Sequence, residues 1–227
     1  MDDILAAIPA GADHHQADRA FRSAGWTPCG AGDWAIALRS PDGHLVARIS
    51  PFDPTGPYTA ALYRAAAHTG QVPRLHAHRR LAGGGDLQVM EWLAPASERE
   101  AADFLRAVSD GTAPAEELSR IVREVHAQAV ANLPWCGPLD ENPANVMRGD
   151  DDRLVVTDLF YADGPALYAQ AAADPEAFVA RMPEEGRRFM TEIPLATSGP
   201  WPDTEREALR AALVEADRRG SRRRAPS

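Results

Sequence analysis

The segment LDENPANVMRGDDDRLVVTDLF at residues 139–160 constrains this chain more than any other. It places Asn145 five positions after Asp140 and Asp158 thirteen positions after Asn145. Residues 145–149 and 153–158 read as the arms of a small hairpin across Asp150, Asp151 and Asp152, with Val155, Val156 and Thr157 as a strand running into Asp158. Each polar residue alone has an ordinary explanation, since Asp and Asn are turn formers and a carboxylate can cap a strand end. All three at this spacing point to a site rather than to turn chemistry alone.

The N-terminal part, up to about residue 94, reads as mainly antiparallel β with one inserted helix. Residues 17–25 read as a short helix ending at Gly25. Residues 35–39 and 44–50 flank Ser40-Pro41-Asp42-Gly43, which suits a tight reversal, and form a first hairpin. A helix follows over 58–68, then a second hairpin from 74–81 and 86–93 around Gly83, Gly84 and Gly85. At Pro95 the pattern turns helical. Ser97 and Glu100 make the Ser-x-x-Glu pattern of a capping box, ahead of Ala101, Phe104, Leu105 and Val108 on one face. A longer helix from about Pro114 aligns Leu118, Ile121, Val122, Val125 and Ala129. The remainder reads as helical, with Thr204-x-x-Glu207 as a further capping box before Leu209, Leu213 and Ala216.

The spacing of Asp140, Asn145 and Asp158 resembles the catalytic loop and metal-binding Asp of protein kinases. Asn-Pro-Ala-Asn-Val-Met is similar to the His-Pro-x-Asn-Val-Leu segment of aminoglycoside phosphotransferases, and Val125-His126 to the Leu-His that ends their preceding helix. Upstream, CGAGDWAIA at residues 29–37 resembles the kinase GxGxxGxV loop, with Gly30 and Gly32 retained and Ala35 in the third glycine's place. Val89-Met90-Glu91-Trp92-Leu93 resembles the hinge between lobes. The resemblance implies an α+β, two-lobed protein kinase-like fold forming one unit, with an antiparallel β-rich N-lobe over 1–94 and a short, mainly helical C-lobe over 95–227.

It also implies ATP and magnesium as cofactors, because phosphoryl transfer rests on positioning and charge management. Asp140 would take or orient the acceptor's proton, and Asn145 and Asp158 would supply hard oxygen ligands to magnesium. Gly30 and Gly32 would let the backbone approach the phosphates. Backbone groups of Glu91 and Leu93 would contact adenine, with Met90 as gatekeeper. A small-molecule hydroxyl is the acceptor such a chain suggests, and a protein acceptor is the alternative.

Four departures bear on activity. Arg48 takes the place of the β3 lysine, and a planar fork is not a point-charge ammonium. The helix over 58–68 contains no Glu to pair with it, Asp53 being the nearest acid in sequence. Pro138 stands where a His usually precedes the catalytic Asp, and no Ala-Pro-Glu segment follows Asp158. Arg48 and the missing helix Glu motivate a second reading, a catalytically weak pseudokinase acting as a nucleotide-binding partner.

Composition excludes several other classes. A formal charge of −9 argues against a broad nucleic-acid-binding surface. The basic run at residues 218–224 reads as a solvated tail. The start carries two acids and no basic region before a short apolar stretch, so it does not resemble a secretory signal, and no transmembrane-length apolar run follows. Cys29 and Cys136 form no CxxC, which fits a reducing cytoplasm and no disulfide framework. Neither the His14-His15 nor the His76/His78 pair has a Cys or a close carboxylate completing a ligand set, so neither predicts a metal site. Glu184, Glu185 and Glu192 are candidates to receive a cationic acceptor, and Arg187 and Arg188 to contact an anion, against a default role as surface charges.

Overall fold

The structure, a computed structural model, describes residues 1–193 and 202–224, the side chains of 221–224 excepted. The expectations for residues 194–201 and 225–227 lie outside the described residues.

Two helices open the chain, α1 (Asp2–Ala7) and α2 (His14–Ser23). α2 begins three residues earlier than its apolar pattern predicts. Asp13 accepts from the Gln16 amide at 2.8 Å while the Gln16 side chain takes the Asp13 amide at 3.0 Å, a reciprocal cap that satisfies two end donors. Strands β1 (Thr27–Ala31), β2 (Ile36–Arg39) and β3 (Leu45–Ser50) follow, then helix α3 (Gly56–Ala65) and strands β4 (Leu75–Arg80) and β5 (Asp86–Glu91). They form one antiparallel sheet in the order β1-β2-β3-β5-β4. α3 makes the connection that lets β4 pair outside β5.

Period-two alternation divides the side chains of β3 between two environments. Ala47 and Ile49 join Leu38, Leu87 and Val89 in a core covered by Phe21 of α2 and by Trp26. Val46 and Arg48 therefore face the other side, where Val46 packs against the core that contains Met90 and Tyr63.

A short strand β6 (Ala94–Pro95) leads to helices α4 (Glu98–Asp110) and α5 (Glu116–Asn132). The Ser97 cap is half of the expected box. Its hydroxyl oxygen accepts from the Glu100 amide at 3.4 Å, and the Glu100 carboxylate also meets the Ser97 hydroxyl and Arg148, the latter at 2.6 Å. The small hairpin is present as β7 (Val146–Arg148) and β8 (Leu154–Val156), and with β6 it makes a second antiparallel sheet. Val146, Val156, Leu159 and Phe160 bury against Phe104, Leu118 and Val122, which anchors the hairpin to α4 and α5.

Helices α6 (Gly164–Ala173), α7 (Pro175–Arg181), α8 (Glu184–Arg187) and α9 (Asp203–Arg224) complete the helical part. Leu167, Phe178, Met190, Leu209 and Leu213 enclose a third core that reaches Phe52 of the sheet-bearing half. Two expectations are corrected here. α9 starts at Asp203, so Thr204 lies inside its first turn and cannot cap it. The basic run is not a tail beyond that helix: α9 continues through Arg224, and Arg219 pairs with Glu215 at 3.1 Å and Glu176 at 3.4 Å. No helix of the described residues is long and apolar enough to cross a membrane.

Candidate active site

Side-chain parity on β3 aims Arg48 into a cavity of about 560 Å³ between the sheet and the hairpin. Arg48 Nη1 donates to Asp53 Oδ2 at 2.8 Å, and its Nε lies 3.3 Å from Asp158 Oδ1. Burial disfavours the guanidinium charge, but the carboxylates of Asp158 and Asp53 outweigh it and hold Arg48 firmly protonated. Asp53 is itself immobilised. Its Oδ1 accepts from the Thr55 amide at 2.9 Å, the Thr55 hydroxyl at 2.8 Å and the Gly56 amide at 2.8 Å. The counter-charge to Arg48 thus comes from the residue leading into α3 and not from the helix body. The absence of Glu from residues 58–68 pointed towards this substitute, but only the folded chain shows it.

Asp158 sits just beyond β8 with φ of 43°, a left-handed conformation that Asp tolerates better than most side chains. Its amide donates to the Tyr63 hydroxyl at 3.3 Å, and its carbonyl accepts from Asn145 Nδ2 at 3.4 Å. The Asn145 carbonyl receives both the amide and the hydroxyl of Thr157, at 2.7 and 3.0 Å. The hairpin thereby holds Asn145 and Asp158 side by side, with the Asn145 amide nitrogen spent on the backbone and its oxygen left as the atom with ligand chemistry. Tyr63, absent from the sequence reading, is buried beneath the pair, and burial with the Asp158 charge raises its hydroxyl well above the ordinary tyrosine value.

Asp140 lies on the loop before the hairpin. Its amide donates to the Leu159 carbonyl at 3.0 Å, and its Oδ1 accepts from the Asn142 amide at 2.9 Å. His126 of α5 braces the loop: Nε2 reaches the Gly137 carbonyl at 2.9 Å, and the ring stacks on Phe160 with centroids 5.7 Å apart. Tyr161 packs so closely on Gly137 that a Cβ there would approach its ring to 2.6 Å, and it lines the cavity with Asp140. Burial, then the charge of Asp140, raises the Tyr161 hydroxyl above its ordinary value.

Gly30 and Gly32 border the same cavity at the β1–β2 turn. A Cβ at Gly30 would meet only Ala37 Cβ at 4.0 Å, one at Gly32 would meet nothing within 4 Å, and neither has positive φ. The chain's own packing therefore gives no reason for glycine at either position. Met90 and Leu93 are buried on the opposite wall. The expectation for Glu91 is corrected in part: its amide donates to the Arg74 carbonyl at 3.2 Å, and its carboxylate accepts from the Arg74 amide at 2.7 Å and from Arg153. Of its backbone groups, only the carbonyl is left to face a ligand.

Other sequence expectations are redirected by tertiary contacts. Glu184 pairs with Arg188 at 3.0 Å, Arg187 with the Asp217 carboxylate at 2.5 Å, and none of Glu184, Glu185 and Glu192 lines this cavity. His78 hydrogen-bonds the buried Asp86 at 2.9 Å. The His14-His15 pair, expected to lack a carboxylate, meets Glu192. Cys29 and Cys136 are both free thiols.

No family model matches the sequence, and no curated protein matches it. Solved structures resemble it loosely. The aminoglycoside phosphotransferase APH(3'')-Id from Streptomyces rimosus is 17% identical, with 89% of this chain and 95% of that one covered at a TM-score of 0.33. The macrolide 2'-phosphotransferase MphH from Brachybacterium faecium is 16% identical, with 83% and 91% covered at 0.35. A pseudokinase is 13% identical, with 88% and 86% covered at 0.30. At TM-scores this low these resemblances carry no argument, and the architecture rests on the sheet order, the crossover helix α3 and the β7–β8 hairpin described above.

Proposed function

We propose that the chain is an ATP- and magnesium-dependent phosphotransferase acting on a hydroxyl of a small molecule. The observation that carries this reading is the convergence of Arg48, Asp53, Asn145 and Asp158 on one cavity that Asp140 also lines. Its volume of about 560 Å³ lies within the usual range for small-molecule sites. Asp33, Asp53, Asp140 and Asp158 set four acidic side chains against the guanidinium of Arg48 along its walls, a balance that suits a bound divalent cation. Glycines with no internal justification at positions 30 and 32 fit a backbone that must approach phosphate oxygens.

When bound, ATP supplies the transferable phosphoryl group and magnesium neutralises its phosphate oxygens. In this reading Asn145 Oδ1 and the Asp158 carboxylate hold the metal, and Arg48 turns part of its fork from Asp158 to phosphate. The Glu91 carbonyl and the Leu93 backbone hold adenine. Asp140 accepts the proton from the acceptor hydroxyl, and Tyr161 walls the acceptor side. We place the boundary between the lobes at residues 94 and 95.

A second reading, a pseudokinase, is favoured by the Arg48–Asp158 contact, which occupies the metal-binding carboxylate. ATP turnover separates the two. With a metabolite pool and magnesium, the chain is expected to give an ATP-dependent gain of one phosphate on an acceptor. Asp140→Asn keeps an acceptor oxygen for the Asn142 amide and should lower turnover by about two to four orders of magnitude at nearly unchanged ATP affinity. Asp158→Asn tolerates the left-handed backbone and should abolish magnesium-dependent binding. Magnesium-dependent binding without turnover on any acceptor would favour the pseudokinase.

A further inference from the structure

Far along the sequence from α2, the 3-10 turn Met190–Glu192 returns to the first turn of that helix. Glu192 Oε2 lies 3.3 Å from His14 Nε2 and 3.0 Å from His15 Nε2. The two imidazoles face each other with centroids 3.9 Å apart, and Phe189 closes one side, its ring centroid 4.8 Å from that of His14. All three ligand atoms lie within 4.8 Å of one another. One carboxylate oxygen thus serves two ring nitrogens, and His14 Nδ1 is buried with no partner among the described residues.

We infer that His14, His15 and Glu192 form a site for a borderline transition-metal ion, zinc being the best chemical match. Two imidazole nitrogens and a carboxylate oxygen are a zinc donor set, and bonds of about 2.0–2.1 Å in a tetrahedron put ligand atoms about 3.3 Å apart. The observed separations of 3.3 and 3.0 Å are close to that edge length. Glu192 is one-third exposed and His15 about half exposed, which leaves an entry path and room for water as a fourth ligand. The ion would tie α2, on the sheet-bearing half, to residues 189–192, whose Phe189 amide already donates to the Gly83 carbonyl at 3.3 Å. This site is separate from the cavity of Arg48 and Asp158, and the inference does not depend on the proposed activity.

The test uses the full chain, cobalt(II) as a spectroscopic probe and zinc as competitor, in excess magnesium, which competes poorly for imidazole donors. One equivalent of cobalt should bind with visible d–d bands, and one equivalent of zinc should displace it. His15→Ala and Glu192→Gln, at exposed or half-exposed positions, should each weaken zinc binding at least about tenfold. His68→Ala removes a surface His paired with Glu117 at 2.9 Å and should leave affinity unchanged. Absence of stoichiometric binding to the wild-type chain, unchanged affinity in either site variant, or an equal loss in His68→Ala would overturn the assignment.

Discussion

Arg48 divides its guanidinium between Asp53 at 2.8 Å and Asp158 at 3.3 Å, a forked geometry that a point-charge ammonium does not reproduce. The sequence contains no lysine anywhere, and all 24 of its Lys and Arg positions are Arg. Arginine at position 48 therefore follows the chain's general usage and is not by itself a mark of lost activity. If the fork holds ATP phosphates, its charge-assisted hydrogen bonds are worth about 1.5–3 kcal/mol. Arg48→Ala should then weaken ATP binding by about ten- to a hundredfold, at about 1.4 kcal/mol per decade. Arg48→Lys should recover part of that loss, because Asp53, fixed by three donors from Thr55 and Gly56, can still hold an ammonium. Calorimetric titration of the three proteins with ATP and magnesium checks this, and equal affinities would remove Arg48 from phosphate binding.

Among the elements, the junction of β4, β5 and α3 depends on one buried carboxylate. Asp86, fully buried at the start of β5, accepts from His78 at 2.9 Å, Arg80 at 3.0 Å and Gln88 at 2.9 Å. It also sits where a Cβ on Gly56 would lie, 2.5 Å from its Cγ, so α3 can approach only through glycine. Burial opposes ionisation, but the hydrogen bond and charge of His78, with Arg80 and Gln88, prevail and hold Asp86 below the usual carboxylate value. A depressed folded-state pKa contributes stability that is fully present above the unfolded value of about 3.9 and is lost as pH falls through the folded value. The urea midpoint should therefore drop as the pH falls below about 4. Asp86→Asn should flatten that drop and lower stability at neutral pH by about 2 kcal/mol. An Asp86→Asn profile parallel to the wild type would show that other carboxylates govern acid unfolding.

At the scale of the whole molecule, the two halves meet on both sides of the sheet. On one side lies the cavity; on the other, residues 186–189 press against the turn between β4 and β5. Gly84 has φ of 92°, and a Cβ there would come within 2.1 Å of the Gly186 carbonyl oxygen. A side chain would meet backbone that cannot swing away. Gly84→Ala should lower stability by about 3 kcal/mol, combining left-handed strain with overpacking. Urea unfolding measures the loss, and a change below about 0.5 kcal/mol would show that the contact yields easily.

Much of this architecture was legible in local pattern. Ser40-Pro41-Asp42-Gly43 made its hairpin, Gly83 to Gly85 turned the second one, and the apolar stripe of residues 118–129 buried as α5, because turn chemistry and periodicity act within a few residues. The spacing of Asp140, Asn145 and Asp158 was legible for the same reason: two of them bracket one hairpin. Tyr63 beneath Asp158, Tyr161 beside Asp140 and Glu192 against His14 and His15 were not. Each pairs residues from separate elements, and their proximity is set by how α3, the hairpin and the C-terminal turns pack. A capping box depends on local backbone geometry and still failed at Thr204, because the helix began two residues before the start that a Thr204 cap would give. Sequence alone determined which elements form and where the turns fall; tertiary packing decided which charges face one another, because Coulomb and hydrogen-bond partners are chosen by distance in space and not along the chain.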